Sequence, residues 1–499
     1  MRVSLRTLAL LALCVGTVFA DNDSQYANRT FLMPRPTNVD KAMEWTTWHA
    51  HFFKKHQEKH GINSHFQVTG FWQASTNDED LGTYFGIGNG KNSFVVGDPT
   101  VDGVEINSFR LIHNADGGGG LSDPFPGTIT FKPERESFGF RLDYIQDINA
   151  PIKNLFFKAS MPIVHVETDM EISVADSVKQ IILDDPNNTE YTIADFFAGN
   201  INVSQNPMDN TNQQESLKFA KINGDRSKTG IADLDLALGY KYFHSATSHA
   251  FISVFVTVPT GSKVRGTYLF EPIVGNGHHV ALGASVYAGA QVWSGEQGKL
   301  RVDGCLNYSY LFEGTEQRTI GVKNITTGNT ELLGFYNMGA RIGQVDKPFF
   351  PLANVLTRDL RVQPNSQIDA LLNLSFQSKR FIVEVGYNLY WKDQESIWVK
   401  NTDDLIGQVG IVSPTAVSNV AITAASFVGG AAFTADNLDI NAAKTPSQIT
   451  HKLSAGLAFK YKINNSYPSS LGIGGSYEFA PKNSSVEQYA VWGKAGFSF

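Results

Sequence analysis

The chain has 499 residues and a formal charge of −7, and charged residues make up only 18% of it. Mild acidity without a basic run argues against nucleic-acid binding, and Cys305, the one cysteine beyond residue 20, rules out an intrachain disulfide after export. With 45 Gly, 34 Phe and 17 Tyr, yet no apolar run of the roughly 20 residues a membrane helix needs, the composition points to alternating strands.

Residues 1–20 read as a cleaved export signal. Arg2 and Arg6 form a positive start, Leu8 to Val15 an apolar core, and Val18-Phe19-Ala20 a small-residue cleavage site. Loss of the two arginines moves the formal charge from −7 to −9. Residues 21–63 are expected to form a periplasmic N-terminal segment. A short helix from Trp45 to Lys59 would group Trp45, Trp48, Phe52 and Phe53, and would plug the lumen or rest at its periplasmic mouth. His49, His51, His56, His60 and His65 crowd this stretch. His56 and His60 share a helix face, but no Cys or carboxylate pattern completes a tetrahedral site, so no metal is expected.

From residue 64 to 499 the pattern is period two. Strands are expected near 65–74, 138–146, 155–174, 231–242, 250–258, 279–293, 300–313, 366–377, 381–392, 451–463, 471–479 and 488–499. Connections alternate between short ones (147–154, 243–249, 294–299, 378–380, 464–470) and mostly long ones (75–137, 175–230, 259–278, 314–365, 393–450, 480–487). A soluble sandwich gives no reason for that alternation. A closed antiparallel transmembrane β-barrel does, with short periplasmic turns, long outer loops and about twelve strands. An even count returns both termini to the periplasmic side. Val104–Ile112 or Leu332–Arg341 would supply one more pair and make fourteen. The apolar stretch Val420–Phe433 falls in an outer loop, as a constriction, a headgroup contact or an unseparated strand pair.

The chain ends Tyr489-Ala490-Val491-Trp492-Gly493-Lys494-Ala495-Gly496-Phe497-Ser498-Phe499. Its terminal aromatic and alternating small or apolar residues resemble the C-terminal strand signature of bacterial outer-membrane β-barrel proteins. The resemblance implies export to the outer membrane of a bacterial cell, contact with its lipid, and transport. A second, fainter resemblance rests on Ile231-Ala232-Asp233-Leu234-Asp235-Leu236 and Val258-Pro259-Thr260-Gly261. It is to the barrels of fatty-acid and aromatic-hydrocarbon transporters, and implies an apolar solute.

If the apolar faces meet lipid, the opposite faces line the lumen. The expected inward acids are Asp143, Glu167, Asp169, Glu171, Asp233, Asp235, Asp303, Asp369, Glu384 and Glu478. The expected inward bases are Arg141, Lys241, Arg301, Lys392, Lys452, Lys460, Lys462 and Lys494. Acids at 167–171 and 233–235 would stand opposite the lysines of the last strands and set up a transverse field. The alternative is that the charges pair across the lumen and keep it hydrated. This reading gives a channel for small polar solutes, with a ligand-selective carrier of apolar compounds or a structural or adhesive surface protein as alternatives. No Gly-Xaa-Ser-Xaa-Gly turn or convergent Ser–His pair supports an enzyme, no motif calls for a cofactor, and self-association into a homo-oligomer is left open.

Overall fold

The computed structural model describes residues 28–45, 64–86, 92–96, 127–148, 152–175, 180–181, 190–201, 214–245, 247–323, 328, 333–345, 349–413, 421–464 and 466–499. Twelve strands carry the fold: β1 (Ser64–Ser75), β2 (Glu134–Ile148), β3 (Leu155–Asp169), β4 (Leu234–His244), β5 (Ser248–Val258) and β6 (Ala281–Ser294). They continue with β7 (Lys299–Leu311), β8 (Asn365–Gln377), β9 (Phe381–Lys392), β10 (Gln448–Ile463), β11 (Tyr467–Phe479) and β12 (Gln488–Ser498). Each pairs antiparallel with the next, and β12 pairs with β1 from His65↔Ser498 to Ser75↔Gln488. The ring is therefore closed, which leaves no open sheet edge among these strands.

Turns at one end are short, and Asn154 and Asn464 adopt the positive φ that tight turns require. The outer surface is apolar: Phe140, Ile252, Val254, Leu282, Leu453 and Ile473 are each more than half exposed. So much contiguous apolar surface is incompatible with water and is the lipid-facing side of a transmembrane barrel. Exposed aromatics gather at both rims, with Tyr242, Trp293, Phe381, Tyr467 and Phe497 near the short turns. Tyr308, Tyr387, Tyr477 and Tyr489 ring the other end. Such paired girdles mark the two membrane–water interfaces.

The long connections are not loose loops. They fold into a cap whose core includes Phe85, Phe131, Phe197, Tyr336, Phe349, Leu356, Leu360 and Phe433. Three small three-stranded sheets brace it: Gly314–Thr319 with Thr357–Gln363 and Ser396–Val399, Met338–Arg341 with Phe350–Pro351 and Val409–Ile411, and Gly127–Thr130 with Ser93–Val96 and Ser173–Ala175. The expectation of an extra barrel strand around Leu332–Arg341 is thereby corrected, because Met338–Arg341 pairs inside the cap. Residues 104–112 lie outside the described residues. Of the stretch 420–433, Ile422, Phe427 and Phe433 are buried in the cap core, and none of its described residues joins the barrel sheet.

Strand β3 overturns one expectation. Its inward side chains are Phe156, Lys158, Ser160, Val164, Val166 and Thr168, whereas Ile163, His165, Glu167 and Asp169 point outward. The pairing with β2 is continuous from Ile148↔Leu155 to Glu134↔Asp169, so no bulge resets the faces. The hydrophobic pattern itself flips near Ile163. A strand of 15 residues exceeds the roughly 9–11 a membrane span needs. Past Ile163, β3 has left the apolar slab, so its outer face turns polar. Its inner face there packs Val164 and Val166 against Phe71, Ala490 and Trp492.

Candidate functional site: the occupied lumen

The lumen is filled by the chain's own N-terminal segment. Residues 28–33 are tied into the cap, with Thr30 N bonded to Ala442 O at 3.0 Å and Met33 N to Thr445 Oγ1 at 3.0 Å. From there the segment descends inside the barrel to a five-residue helix, α1 (Lys41–Trp45), buried along its whole length. Of the two placements expected for this segment, in the lumen or at the periplasmic mouth, the described residues 28–45 take the first, entering from the cap. Of the expected helix 45–59, Trp45 ends α1. Residues 46–59, with His49, His51 and His56, lie outside the described residues.

Local chemistry explains the short helix. The Asp40 carboxylate accepts from Met43 N at 2.9 Å, satisfying an early amide as an N-cap does. At the other end Lys494 Nζ donates to Met43 O at 2.6 Å and to Glu44 O at 3.0 Å. A cation on the last carbonyls complements the helix dipole. Trp45 stacks on Tyr287 with ring centroids 5.5 Å apart, within an apolar cluster of Ala42, Ile145, Phe156, Phe251, Cys305 and Leu371.

Ion pairs seat the rest. Glu44, fully buried, receives Lys41 at 2.5 Å, Arg141 at 2.7 Å and Lys158. Arg141 also pairs with Asp143 at 3.0 Å. Asp40 holds Lys452 at 2.6 Å, and Lys452 reaches Glu478 at 3.0 Å. Arg35 bridges Glu478 at 2.8 Å and Asp369 at 3.2 Å, its guanidinium lying 4.7 Å from the centre of the Tyr390 ring. A cavity of about 40 Å3 remains between the segment and the wall, bordered by Lys41, Arg141, Lys158, Asp235, Tyr287 and Asp369. That holds a few waters and no larger solute.

The candidates divide accordingly. Asp235, Arg301, Asp303 and Lys452 are turned inward. Asp235 accepts from Thr257 Oγ1 at 2.6 Å and from Asn38 at 3.3 Å, and Arg301 pairs with Asp303 at 3.2 Å nearer the short turns. Glu167 and Asp169 are corrected to the outer face, for the reason given for β3. Glu171, with φ of 43°, is exposed just past that strand. Lys460 is half-buried at the short-turn end and donates to Ser378 O at 2.6 Å, while Lys462 is exposed. Asp233 lies in the turn before β4, where it accepts from Gly261 N at 3.1 Å and Asn276 N at 2.7 Å. Burial pushes its carboxyl up to about 7. It clamps two connections, and Gly275, at φ 84°, leaves a Cβ no room beside that carboxylate.

The expected transverse field is therefore corrected. Its acidic pole loses Glu167, Asp169 and Glu171, while Lys452 pairs with Asp40 of the segment and Arg301 with Asp303 on the wall. Sequence reading missed Arg35, Asp40 and Glu44, because an extended chain inside a lumen has no periodicity. It missed Lys158 through the same inverted phase on β3. Among the described residues no three His, Cys, Asp or Glu side chains gather as metal ligands would.

No protein-family model matches the chain, and neither does any curated protein sequence. Solved structures align with the chain at low similarity. An outer membrane channel from Pseudomonas putida F1 aligns over 87% of this chain and 95% of its own, at 11% identity and a TM-score of 0.36. The Pseudomonas putida toluene transporter TodX aligns over 95% of this chain and 98% of its own, at 9% identity and 0.33. The NanC porin aligns over 73% and 93%, at 8% identity and 0.25.

Proposed function

We propose that this protein is a bacterial outer-membrane channel for small polar solutes, closed in this conformation by residues 35–45. The observation that carries the reading is the ion-paired contact between Glu44 and the wall residues Arg141 and Lys158. A lumen meant only to be sealed is filled more stably with apolar side chains, since buried ion pairs gain little over them. Charges that meet a displaceable segment are instead re-solvated when it leaves, and the lumen then conducts. The test is planar-bilayer conductance of the refolded wild type beside an Asp40→Ala/Glu44→Ala variant. The wild type is expected to stay near its closed level and the variant to conduct steadily. A variant that keeps the heat-modifiable mobility of a folded barrel and carries no current overturns the channel reading.

A second reading has one observation in its favour. Phe71, Val164, Val166, Ala490 and Trp492 form an apolar patch in the lumen near the cap, and such a patch suits an apolar compound. A folded, non-conducting variant that takes up an apolar fluorescent probe decides for that carrier.

A further inference from the structure

We infer that Glu44 occupies a built site for a carboxylate, and that this wall site takes a small monocarboxylate solute when the segment withdraws. The inference rests on the channel reading and names the solute class for it. Three cations of the wall surround the Glu44 end of α1. Arg141 on β2 and Lys158 on β3 hold its two carboxylate oxygens, and Lys494 on β12 holds its backbone carbonyl.

The barrel register sets this geometry. Arg141 stands opposite Pro162 and Lys158 opposite Ile145, so the two cations flank the row in which Asp143 faces Ser160. Ser160 Oγ donates to Asp143 at 2.7 Å and Arg141 Nε reaches the same carboxylate at 3.0 Å, so Asp143 is already engaged and holds its guanidinium in place. Among the described residues Glu44 is the one carboxylate within ion-pair reach of Lys158.

The paired cations select the ligand. Arg141 and Lys158 hold the two oxygens of one carboxylate, and when the segment leaves, Lys158 keeps no described wall carboxylate within ion-pair reach. The bidentate geometry of a guanidinium and a facing ammonium favours a carboxylate over a spherical halide. The neighbouring cavity of about 40 Å3 is water-sized, so a carboxylate enters only where the Glu44 side chain has left. The segment thus acts as a tethered stand-in for its own solute, and closure competes with transport.

Competition tests this in the full-length protein, with acetate as the probe and chloride at equal ionic strength as control. Acetate takes the wall site only when Glu44 has left it, so it is expected to raise the open probability of the wild type saturably. At about ten times its dissociation constant the ratio of open to closed protein rises roughly elevenfold. Chloride has no such effect, and Lys158→Gln loses the response to acetate. A wild type that acetate does not open, or that opens equally with chloride, overturns the carboxylate site, while conduction by Asp40→Ala/Glu44→Ala leaves the channel standing. A folded Asp40→Ala/Glu44→Ala variant that never conducts, yet gains thermal stability with acetate and not with chloride, keeps the site and overturns the channel. Equal acetate responses in the wild type and in Lys158→Gln place the anion elsewhere and overturn the assignment.

Discussion

The cap and the lumen are both buried interiors, built on opposite principles. The cap packs Phe85, Tyr336, Phe349, Leu356 and Leu360 into an apolar core, where stability comes from area and close packing and is spread over many contacts. The lumen is held by a few charges: Glu44 with Arg141 and Lys158, Asp40 with Lys452, Arg35 with Glu478 and Asp369. Its stability is concentrated, directional and conditional on every partner staying. The cap suits a lasting assembly, and the lumen suits one that is unmade and remade.

The largest expected effect separates the two directly. Glu44→Ala leaves Arg141 and Lys158 buried without their shared carboxylate, and breaking such a contact from one side costs about 3–5 kcal/mol. That loss falls on the seating of residues 35–45. Limited proteolysis should cut the segment in the variant while barrel melting stays near the wild type. Equal resistance in both proteins breaks the comparison. In the cap, Leu360→Ala removes a fully buried side chain and is expected to cost about 2–5 kcal/mol. It should expose the cap to protease and leave the closed level of the lumen unchanged. Conductance rising in Leu360→Ala would mean that cap and segment unfold together.

Much of the barrel is legible in the chain, and the reasons can be named residue by residue. The twelve strands and their closure follow from alternation and connection length, because one face of each strand must meet lipid and a short turn permits only antiparallel return. The lumenal places of Asp235, Arg301, Asp303 and Lys452 follow from the same phase. That phase fails on β3, where Val164 and Val166 are inward although apolar. Period two reports which face is apolar and not what that face touches. The segment from Arg35 to Trp45 has no pattern to read, since its partners come from strands far apart in sequence, among them Arg141, Asp369, Lys452 and Glu478. The faint motif of Asp233 and Gly261 is legible only afterwards, as a carboxylate clamped on the backbone amides of Gly261 and Asn276.

Acidity gives a smaller effect, with opposite signs at two cap-end carboxylates. Burial alone would raise Glu395, but Arg318 and Lys392 hold its carboxyl well below the usual range. Its contribution is present above its unfolded value of about 4.5 and is lost as pH falls below that. Asp233, pushed up to about 7 by burial, binds its proton more tightly folded than unfolded. Its contribution is therefore full below about 4 and is lost as pH rises through about 7. Asp233→Asn keeps an acceptor for both amides and should flatten denaturation midpoints between about pH 4 and 7. An unchanged slope would mean that the clamp carries no proton, and that another group sets the dependence.

The smallest effect refines the claim that lumen charges matter through their partners. Arg135 on β2 is inward and 7% exposed, and no described carboxylate lies within ion-pair distance of it; its Nε also lacks a hydrogen-bond partner. The nearby Glu478 is already held by Arg35 and Lys452. Replacing an unpaired buried charge with an apolar side chain of similar length removes a desolvation cost and no bond. Arg135→Met is therefore expected to leave barrel and segment stability within about 0.5 kcal/mol of the wild type, or to raise them. Urea midpoints and segment proteolysis measure both. A clear loss would show that a lumenal cation stabilises this barrel without a partner, and the contrast between concentrated and distributed stability would then no longer rest on pairing.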